Sequence, residues 1–131
     1  MRDMRKIIVA PEFSNYPRDW HFSPVLDTGA FVFFSGITGA RPDQSLATDP
    51  SQQFRDAFRF VEMHLKAAGL GLDQIVDLTT YHVDLRKHLA AFVTVKDEFI
   101  KEPYPTWTAV GVNELITSGT LLEIRIIAKR D

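Results

Sequence analysis

One long amphipathic helix is the strongest pattern in this sequence, and such a helix must bury one face against another layer of structure. Asp49 has the short acceptor side chain that favours an N-cap, Pro50 suits the first helical position, and Gln52 is placed to close a capping box. Gly69 is typical of the residue that ends a helix. Apolar residues between these signals recur on one helical face, which we expect to be buried: Phe54, Ala57, Phe58, Val61, Leu65 and Ala68.

A second amphipathic stretch follows at residues 86–100 and predicts another helix. Pro103 and Pro105 forbid its continuation, because proline lacks the backbone N–H of a helix interior. The side chains that we expect this helix to bury are Leu89, Phe92, Val93, Phe99 and Ile100.

Four apolar stretches predict strands, at residues 31–36, 75–83, 105–110 and 121–128. The first of these is aromatic and bounded by glycines, so we expect it to be buried on both sides. The turn sequence at 117–119 predicts that the last two strands form a hairpin. Ahead of all four, the first 24 residues contain a short apolar run and then a proline-punctuated, loop-like stretch.

The element order predicts an α+β fold in one domain spanning residues 1–131, because two helices can cover only one side of one mixed sheet. Strand side chains alternate, so Glu123 and Arg125 lie on one face of the last strand, opposite its apolar side chains. With Trp107 nearby, this face carries a carboxylate, a guanidinium and an indole. It is either solvated or the wall of a site. Because the helices leave it bare, a neighbouring subunit is the natural cover.

Charge and composition exclude several classes of protein. Fifteen basic and 17 acidic residues are well mixed and give a net charge of −2, without the clustered basic face of a nucleic-acid-binding protein. The chain has no cysteine, which excludes disulfides and thiolate chemistry. No apolar run is long enough for a signal peptide or a membrane span. We therefore expect a soluble, cytoplasmic protein with no nucleic-acid or membrane partner.

Short motifs in a fixed order from about Phe22 to Ala128 resemble the RidA/YjgF family of reactive-intermediate deaminases, also labelled endoribonuclease L-PSP. The resemblance implies a chorismate-mutase-like homotrimer, with the sheets meeting in a central barrel and three ligand clefts between subunits. The matching segments are Gly29-x-Phe31-Val32-Phe33-x-Ser35-Gly36, Gln53-x-x-x-Ala57-Phe58, Ala68-Gly69, Asp73-Gln74-Ile75-Val76, Phe92-x-x-Val95-x-x-x-Phe99, Tyr104-Pro105 and Leu122-Glu123-Ile124.

The family's deaminases hydrolyse enamine and imine products of pyridoxal-phosphate enzymes, such as 2-aminoacrylate, to 2-keto acids and ammonia, without a metal or bound cofactor. In the family, a glutamate on the last strand orients water, and an arginine in a Pro-x-Arg motif clamps the substrate carboxylate. A Ser-Gly pair and a tyrosine line the cleft.

Matched onto this sequence, the glutamate is Glu123 and the Ser-Gly pair is Ser35-Gly36, whereas Phe22 stands at the tyrosine position and Trp107 at the arginine position. An indole has one neutral donor and cannot hold a carboxylate as a guanidinium does. We therefore expect a subgroup whose substrate is not 2-aminoacrylate. Ala109, on the strand of Trp107, is also expected to line the cleft.

Four positions keep a second interpretation. Trp107 is either a stacking wall for a planar ligand or a filler of a subunit seam, where tryptophan is common. Glu123 is either a general acid or base with a pKa raised by desolvation, or the partner of Arg125 or of an arginine across an interface. Arg41 either replaces the lost cation or is solvated in its loop. His21 either lines the cleft or is structural.

Other chemistries find no support in the sequence. His64, His82 and His88 are not spaced as metal ligands, and we expect His82 to be buried and hydrogen-bonded. Ser35 does not lie in the nucleophile motif of serine hydrolases. The resemblance implies a small-molecule enzyme that hydrolyses an imine or enamine, or performs a related water addition, with Glu123 as the catalytic residue. The alternative is a trimer that binds a metabolite without turnover, and the acidic charge disfavours a ribonuclease.

Overall fold

The computed structural model describes residues 5–131 and folds them into six strands and three α-helices. The helices are α1 (Asn15–Trp20), α2 (Pro50–Ala67) and α3 (Leu85–Phe99). Short 3₁₀ turns occupy Pro11–Phe13 and Leu72–Gln74. The strands are β1 (Lys6–Ile8), β2 (Val25–Asp27), β3 (Phe31–Phe34), β4 (Ile75–His82), β5 (Thr106–Gly111) and β6 (Leu122–Lys129).

All six strands form one mixed sheet in the order β1-β2-β3-β6-β4-β5. β6 pairs antiparallel with both β3 and β4, and β5 pairs parallel with β4. The predicted hairpin of the last two strands is therefore wrong, because β4 lies between them. The parallel pairing follows from the connection: α3 carries the chain from the end of β4 back to the start of β5, as a parallel crossover requires.

The two long helices cover one face of the sheet, as predicted. The Asp49 carboxylate caps α2 by accepting the backbone N–H of Gln52 at 3.0 Å. The capping box does not close, because the Gln52 amide donates to Asp56 at 2.9 Å instead. Phe54, Phe58 and Phe92 form an aromatic centre between α2 and α3 and are fully buried. The expectation that Leu89 is buried is wrong, since this side chain is 38% exposed.

The opposite face of the sheet has no cover in the part of the chain that the structure describes. In β3, Val32 and Phe34 are buried, while Phe31 and Phe33 point the other way and are 44% and 36% exposed. The prediction that this strand is buried on both sides is therefore wrong. β6 alternates in the same manner, with Leu122, Ile124 and Ile126 buried and Arg125 exposed on the open face, as predicted. We call this uncovered side the open face.

The N-terminal segment is more ordered than its prolines suggest. Where we expected a loop-like stretch, α1 forms with Pro17 at its third residue, in the first turn, where a missing N–H is tolerated. Phe13 is buried and packs its ring against Tyr16 and against His64 on α2. This packing ties the N-terminal segment to α2. None of the helices described is both long and apolar enough to cross a membrane.

Candidate functional site

Glu123 lines a cavity of about 80 Å³ where β6 meets the segment that follows β3. The walls come from four parts of the chain: α1 and the residue Phe22 beyond it, residues 36–44, the loop before β6, and β6 itself. We call this the Glu123 cavity. Of the residues proposed from the sequence, the structure brings together Glu123, Phe22 and Gly36.

Gly36 is the residue that lets the Glu123 side chain lie in this position. A Cβ atom at Gly36 would stand 2.6 Å from Glu123 Cδ and 2.8 Å from Oε2, far inside van der Waals contact. The two segments are also clamped together, since Ile37 and Ile124 exchange two backbone hydrogen bonds of 2.7 Å each. The pairing fixes the backbones and the glycine leaves the space, so the carboxyl group lies directly over Gly36.

The Glu123 carboxyl group makes no hydrogen bond or ion pair with any residue in 5–131. The sequence was compatible with a salt bridge between Glu123 and Arg125. None forms among residues 5–131, because the Arg125 side chain is exposed further along the same face. Partial burial raises the pKa of Glu123 above its ordinary value. A half-buried, unpaired carboxyl group with a raised pKa is suited to exchange protons with a bound molecule.

Ser35 and Gly36 offer different groups to the cavity region. The Ser35 hydroxyl donates to the carbonyl of Ser23 at 2.7 Å, and its backbone N–H donates to the carbonyl of Pro24 at 3.0 Å. The hydroxyl proton of Ser35 is therefore already used in a hydrogen bond. The backbone N–H and carbonyl of Gly36 have no hydrogen-bond partner between residues 5 and 131, so both are free to meet a ligand beside Glu123.

Trp107 lies on the helix-covered face, not on the face of Glu123. Its register partner on β4 is Leu78, which is buried beneath the helices. The indole Nε1–H donates to Thr80 Oγ1 at 3.0 Å, and Lys96 Nζ stands 4.6 Å from the ring centroid. We expected one sheet face to carry both the indole and the carboxylate, and within one chain this is wrong. The parallel pairing with β4 places Trp107 beside Leu78, so its side chain lies on the helix-covered face, opposite to Glu123. Ala109 lies on the same side as Trp107.

His82 completes a polar cluster on the covered face. Its Nε2 atom is 2.7 Å from Thr80 Oγ1, and the residue is 1% exposed, so the expectation of a buried, hydrogen-bonded histidine is confirmed. Burial lowers the pKa of His82 to about 4 and keeps the ring neutral. Thr80 therefore joins a neutral imidazole to the indole of Trp107.

Arg41 and His21 are exposed and do not line the Glu123 cavity. Arg41 turns towards α2, where its Nη2 lies 3.7 Å from Asp56 Oδ2. His21 caps the C-terminal end of α1 with a left-handed backbone conformation, at a φ of 57°. Neither side chain supplies a cation next to Glu123 in this chain.

Sequence reasoning missed the contribution of α1 and of two loop residues. Tyr16 and Trp20 lie one turn apart on α1 and line the cavity together with Gln44 and Thr117. The Tyr16 ring lies 5.6 Å from the Phe22 ring. Tyr16 therefore supplies a phenol next to the phenylalanine that stands at the family's tyrosine position. Burial raises the pKa of Tyr16, partly offset by a hydrogen bond with Gln44. The sequence signal for α1 was the i, i+4 spacing of the aromatic residues Tyr16 and Trp20, but Pro17 between them suggested a loop.

The Glu123 cavity thus combines a carboxyl group, a phenol and free backbone groups with an aromatic wall. Among the residues that the structure describes, no three histidine, aspartate or glutamate side chains are grouped to hold a metal ion. The arrangement is chemically suited to bind a small molecule and to transfer a proton to or from it.

Comparison with known proteins gives the same family by sequence and by fold. The family model described as Endoribonuclease L-PSP matches residues 15–130. The RutC family protein YjgH of Escherichia coli K12 is 40% identical over 109 residues, which cover 82% of each chain. A solved structure of protein YjgH superposes with a TM-score of 0.88 at 35% identity, covering 96% of both chains.

A second solved relative, Escherichia coli TdcF with bound serine, has a TM-score of 0.81 at 29% identity and covers 96% of this chain and 99% of that one. The match over residues 15–130 and the YjgH relative show that this chain belongs to the Endoribonuclease L-PSP family, which is also the YjgF/RidA family.

Proposed function

We propose that this protein is a small-molecule enzyme that hydrolyses an imine or enamine, or performs a related water addition, beside Glu123. The observation that carries the proposal is the unpaired, half-buried carboxyl group held over Gly36 at the wall of a cavity. A carboxylate buried without a partner costs free energy, so a role in proton transfer explains its presence better than a role in folding.

In the proposed reaction, the Glu123 carboxylate accepts a proton from a water molecule while the water oxygen bonds to the imine carbon. The C=N π electrons move to nitrogen, which takes the proton from the Glu123 carboxylic acid, giving a carbinolamine. The regenerated carboxylate then accepts the proton of the carbinolamine hydroxyl and delivers it to nitrogen as the C–N bond breaks. The oxygen electron pair forms the C=O bond, and the products are a carbonyl compound and ammonia. Because burial raises the pKa of Glu123, the group lies closer to the range in which one residue serves as base and then as acid. In this proposal the Gly36 N–H, which has no partner among residues 5–131, donates to the substrate.

We propose a homotrimer as the active form, with the cleft between subunits. Two observations support this assembly: the open face exposes Phe31 and Phe33, and β5 is an unpaired sheet edge. In such an assembly, Trp107 and Ala109 on β5 of one subunit would approach the Glu123 cavity of the next.

The state of Trp107 bears on the substrate. Its only donor is already used by Thr80, so the indole has no N–H to offer to a carboxylate. We therefore propose an uncharged or aromatic substrate in place of 2-aminoacrylate.

The test measures ammonia and aldehyde release from an imine generated in the assay. A flavin-dependent amine oxidase acting on benzylamine supplies an uncharged aromatic imine, and an amino-acid oxidase acting on alanine supplies an imino acid. We expect the protein to accelerate hydrolysis of the aromatic imine more strongly. Glu123→Gln should lower the rate by about 10²-fold or more, the usual effect of removing a general base. Glu62→Gln, an exposed change on α2, is the matched control. Full activity in Glu123→Gln, with the oligomer intact, would refute the mechanism.

A second candidate is ligand binding without turnover, which is favoured by the serine bound to the related TdcF. Thermal-shift measurements with a metabolite panel, run beside assays of product formation, separate the two. Ammonia release from any compound that binds excludes this candidate. Ribonuclease activity, which the family description suggests, is not proposed, because a net charge of −2 does not favour binding to a phosphate backbone.

A further inference from the structure

A second, smaller cavity of about 50 Å³ is lined in part by His64 on α2. Both cavities are lined by Tyr16, Phe22, Gly36, Thr38 and Ala40, so they adjoin along a common wall. We call the smaller one the His64 cavity. Nothing in the proposed reaction uses it.

Three buried side-chain atoms of the described residues lack a hydrogen-bond partner, Asp56 Oδ2, Thr120 Oγ1 and His64 Nδ1, and of these residues His64 alone lines either of the two cavities. The residue is 3% exposed, and its Nδ1 atom is fully buried without a hydrogen-bond partner among residues 5–131. The other buried histidine, His82, has Thr80 as its partner. Buried polar atoms in proteins nearly always have a partner, so an unpartnered one on a side chain that lines a cavity points to a ligand of that cavity.

The lining of the His64 cavity is uncharged throughout. Phe13 and Phe60 supply aromatic surface, and the polar lining consists of hydroxyl groups, the backbone of Gly36 and the imidazole. Burial lowers the pKa of His64 to about 4, with Glu12 acting weakly in the opposite direction, so the ring is neutral at physiological pH. An ion entering this cavity would lose its hydration without meeting an opposite charge, whereas a neutral polar group would not incur that cost.

We propose that the His64 cavity is an inner compartment of the ligand site, which takes a short, uncharged hydrogen-bonding group of the ligand with the His64 imidazole as its partner. A carboxamide or hydroxyl group fits both the size and the neutrality of the compartment. The inference rests on the proposed function only in that a small molecule occupies the Glu123 cavity.

The test uses acetamide and acetate, which have the same shape and differ in charge. Imidazole nitrogens of ¹⁵N-labelled protein are followed by NMR during titration with each probe. We expect acetamide to shift the ring-nitrogen signals of His64 saturably while the His82 and His88 signals stay unchanged, and we expect acetate to have no such effect. An equal response to both probes, or no response of His64 to acetamide, would overturn the proposal.

Variants locate the interaction. His64→Leu should weaken acetamide binding by about fivefold, the effect of one neutral hydrogen bond, and His64→Gln should restore part of it. His88→Leu, outside both cavities, is the matched control. Acetamide binding that is unchanged in His64→Leu contradicts the proposal, and the titration of the unmodified protein decides the matter if this variant fails to fold.

Glu123→Gln separates this inference from the proposed function. We expect this variant to keep the acetamide response of His64 even though its turnover is lost. If the protein binds acetamide at His64 but hydrolyses no imine, the inner compartment is supported and the proposed reaction is wrong. If it hydrolyses imines but His64 does not respond to acetamide, the reaction is supported and the inner compartment is wrong.

Discussion

The two faces of the sheet differ in whether their polar side chains have hydrogen-bond partners. On the covered face, Thr80 links the Trp107 indole to His82, and each of these groups has a partner within hydrogen-bonding distance. On the open face, Glu123 is half-buried, has no partner in residues 5–131, and lies where only a glycine leaves room for it. The first arrangement is what stability requires of buried polar groups, whereas the second costs stability and indicates function.

Gly36→Ala gives the largest expected effect, because it removes the space that holds the carboxyl group. The new Cβ would stand 2.6 Å from Glu123 Cδ, so the side chain must leave its position. We expect imine hydrolysis to fall by about 10²-fold, the scale of a displaced general base. Steady-state rates on the benzylamine-derived imine measure this effect. Gly111→Ala is the control for the fold, since its Cβ would meet only Leu85 at an ordinary 3.7 Å. Unchanged turnover in Gly36→Ala would show that the position of Glu123 is unimportant.

Thr80→Val should destabilise the protein by breaking the polar cluster of the covered face. The substitution keeps the shape of the side chain but removes the hydroxyl that serves both Trp107 and His82. It leaves a buried imidazole and a part-buried indole N–H unpaired. We expect a loss of about 2 kcal/mol in the free energy of unfolding, measured by urea denaturation.

The double variant Thr80→Val/Trp107→Phe tests the hydrogen-bond explanation of this loss. Because it removes the unpaired indole N–H, it should recover part of the stability. A Thr80→Val protein as stable as the original would mean that the cluster contributes nothing to the fold.

Glu123→Gln should have the smallest effect on stability, and in the opposite direction. Burial raises the pKa of Glu123, so the folded state binds a proton more readily than the unfolded state, and the ionised group opposes folding above that pKa. The neutral amide should therefore stabilise the chain at pH 7, by up to about 1 kcal/mol. The gain should vanish in acid, where both side chains are neutral. Unfolding curves at pH 7 and pH 4 measure it, and a loss of stability at pH 7 would indicate an ion pair.

Local signals predicted what is local in this fold. The N-cap Asp49 and the terminal Gly69 fixed α2 to within a residue or two, since both act through the adjacent backbone. The alternation of β6 correctly placed Glu123 and Arg125 on one face. The site residue Gly36 was also identified, although the family resemblance rather than the residue pattern suggested it.

Non-local pairing was the part that the sequence could not supply. The turn residues at 117–119 are compatible with a hairpin, but β4 inserts between the last two strands. Its pairing with β5 determines which face of the sheet Trp107 lies on. The exposed Phe31 and Phe33 are as apolar as core residues, so composition alone could not show that their face is open. Pro17 hid α1, because proline is compatible with both a loop and a first helical turn.

The central claim is that the carboxyl group of Glu123 transfers the proton in catalysis. The most direct test compares its ionisation, followed by ¹³C NMR of the labelled carboxyl group, with the pH dependence of kcat/KM for imine hydrolysis. We predict that Glu123 titrates above the ordinary glutamate pKa and that the rate follows the same ionisation. A Glu123 that titrates at or below the ordinary value, or a rate that is indifferent to its ionisation, would contradict the account.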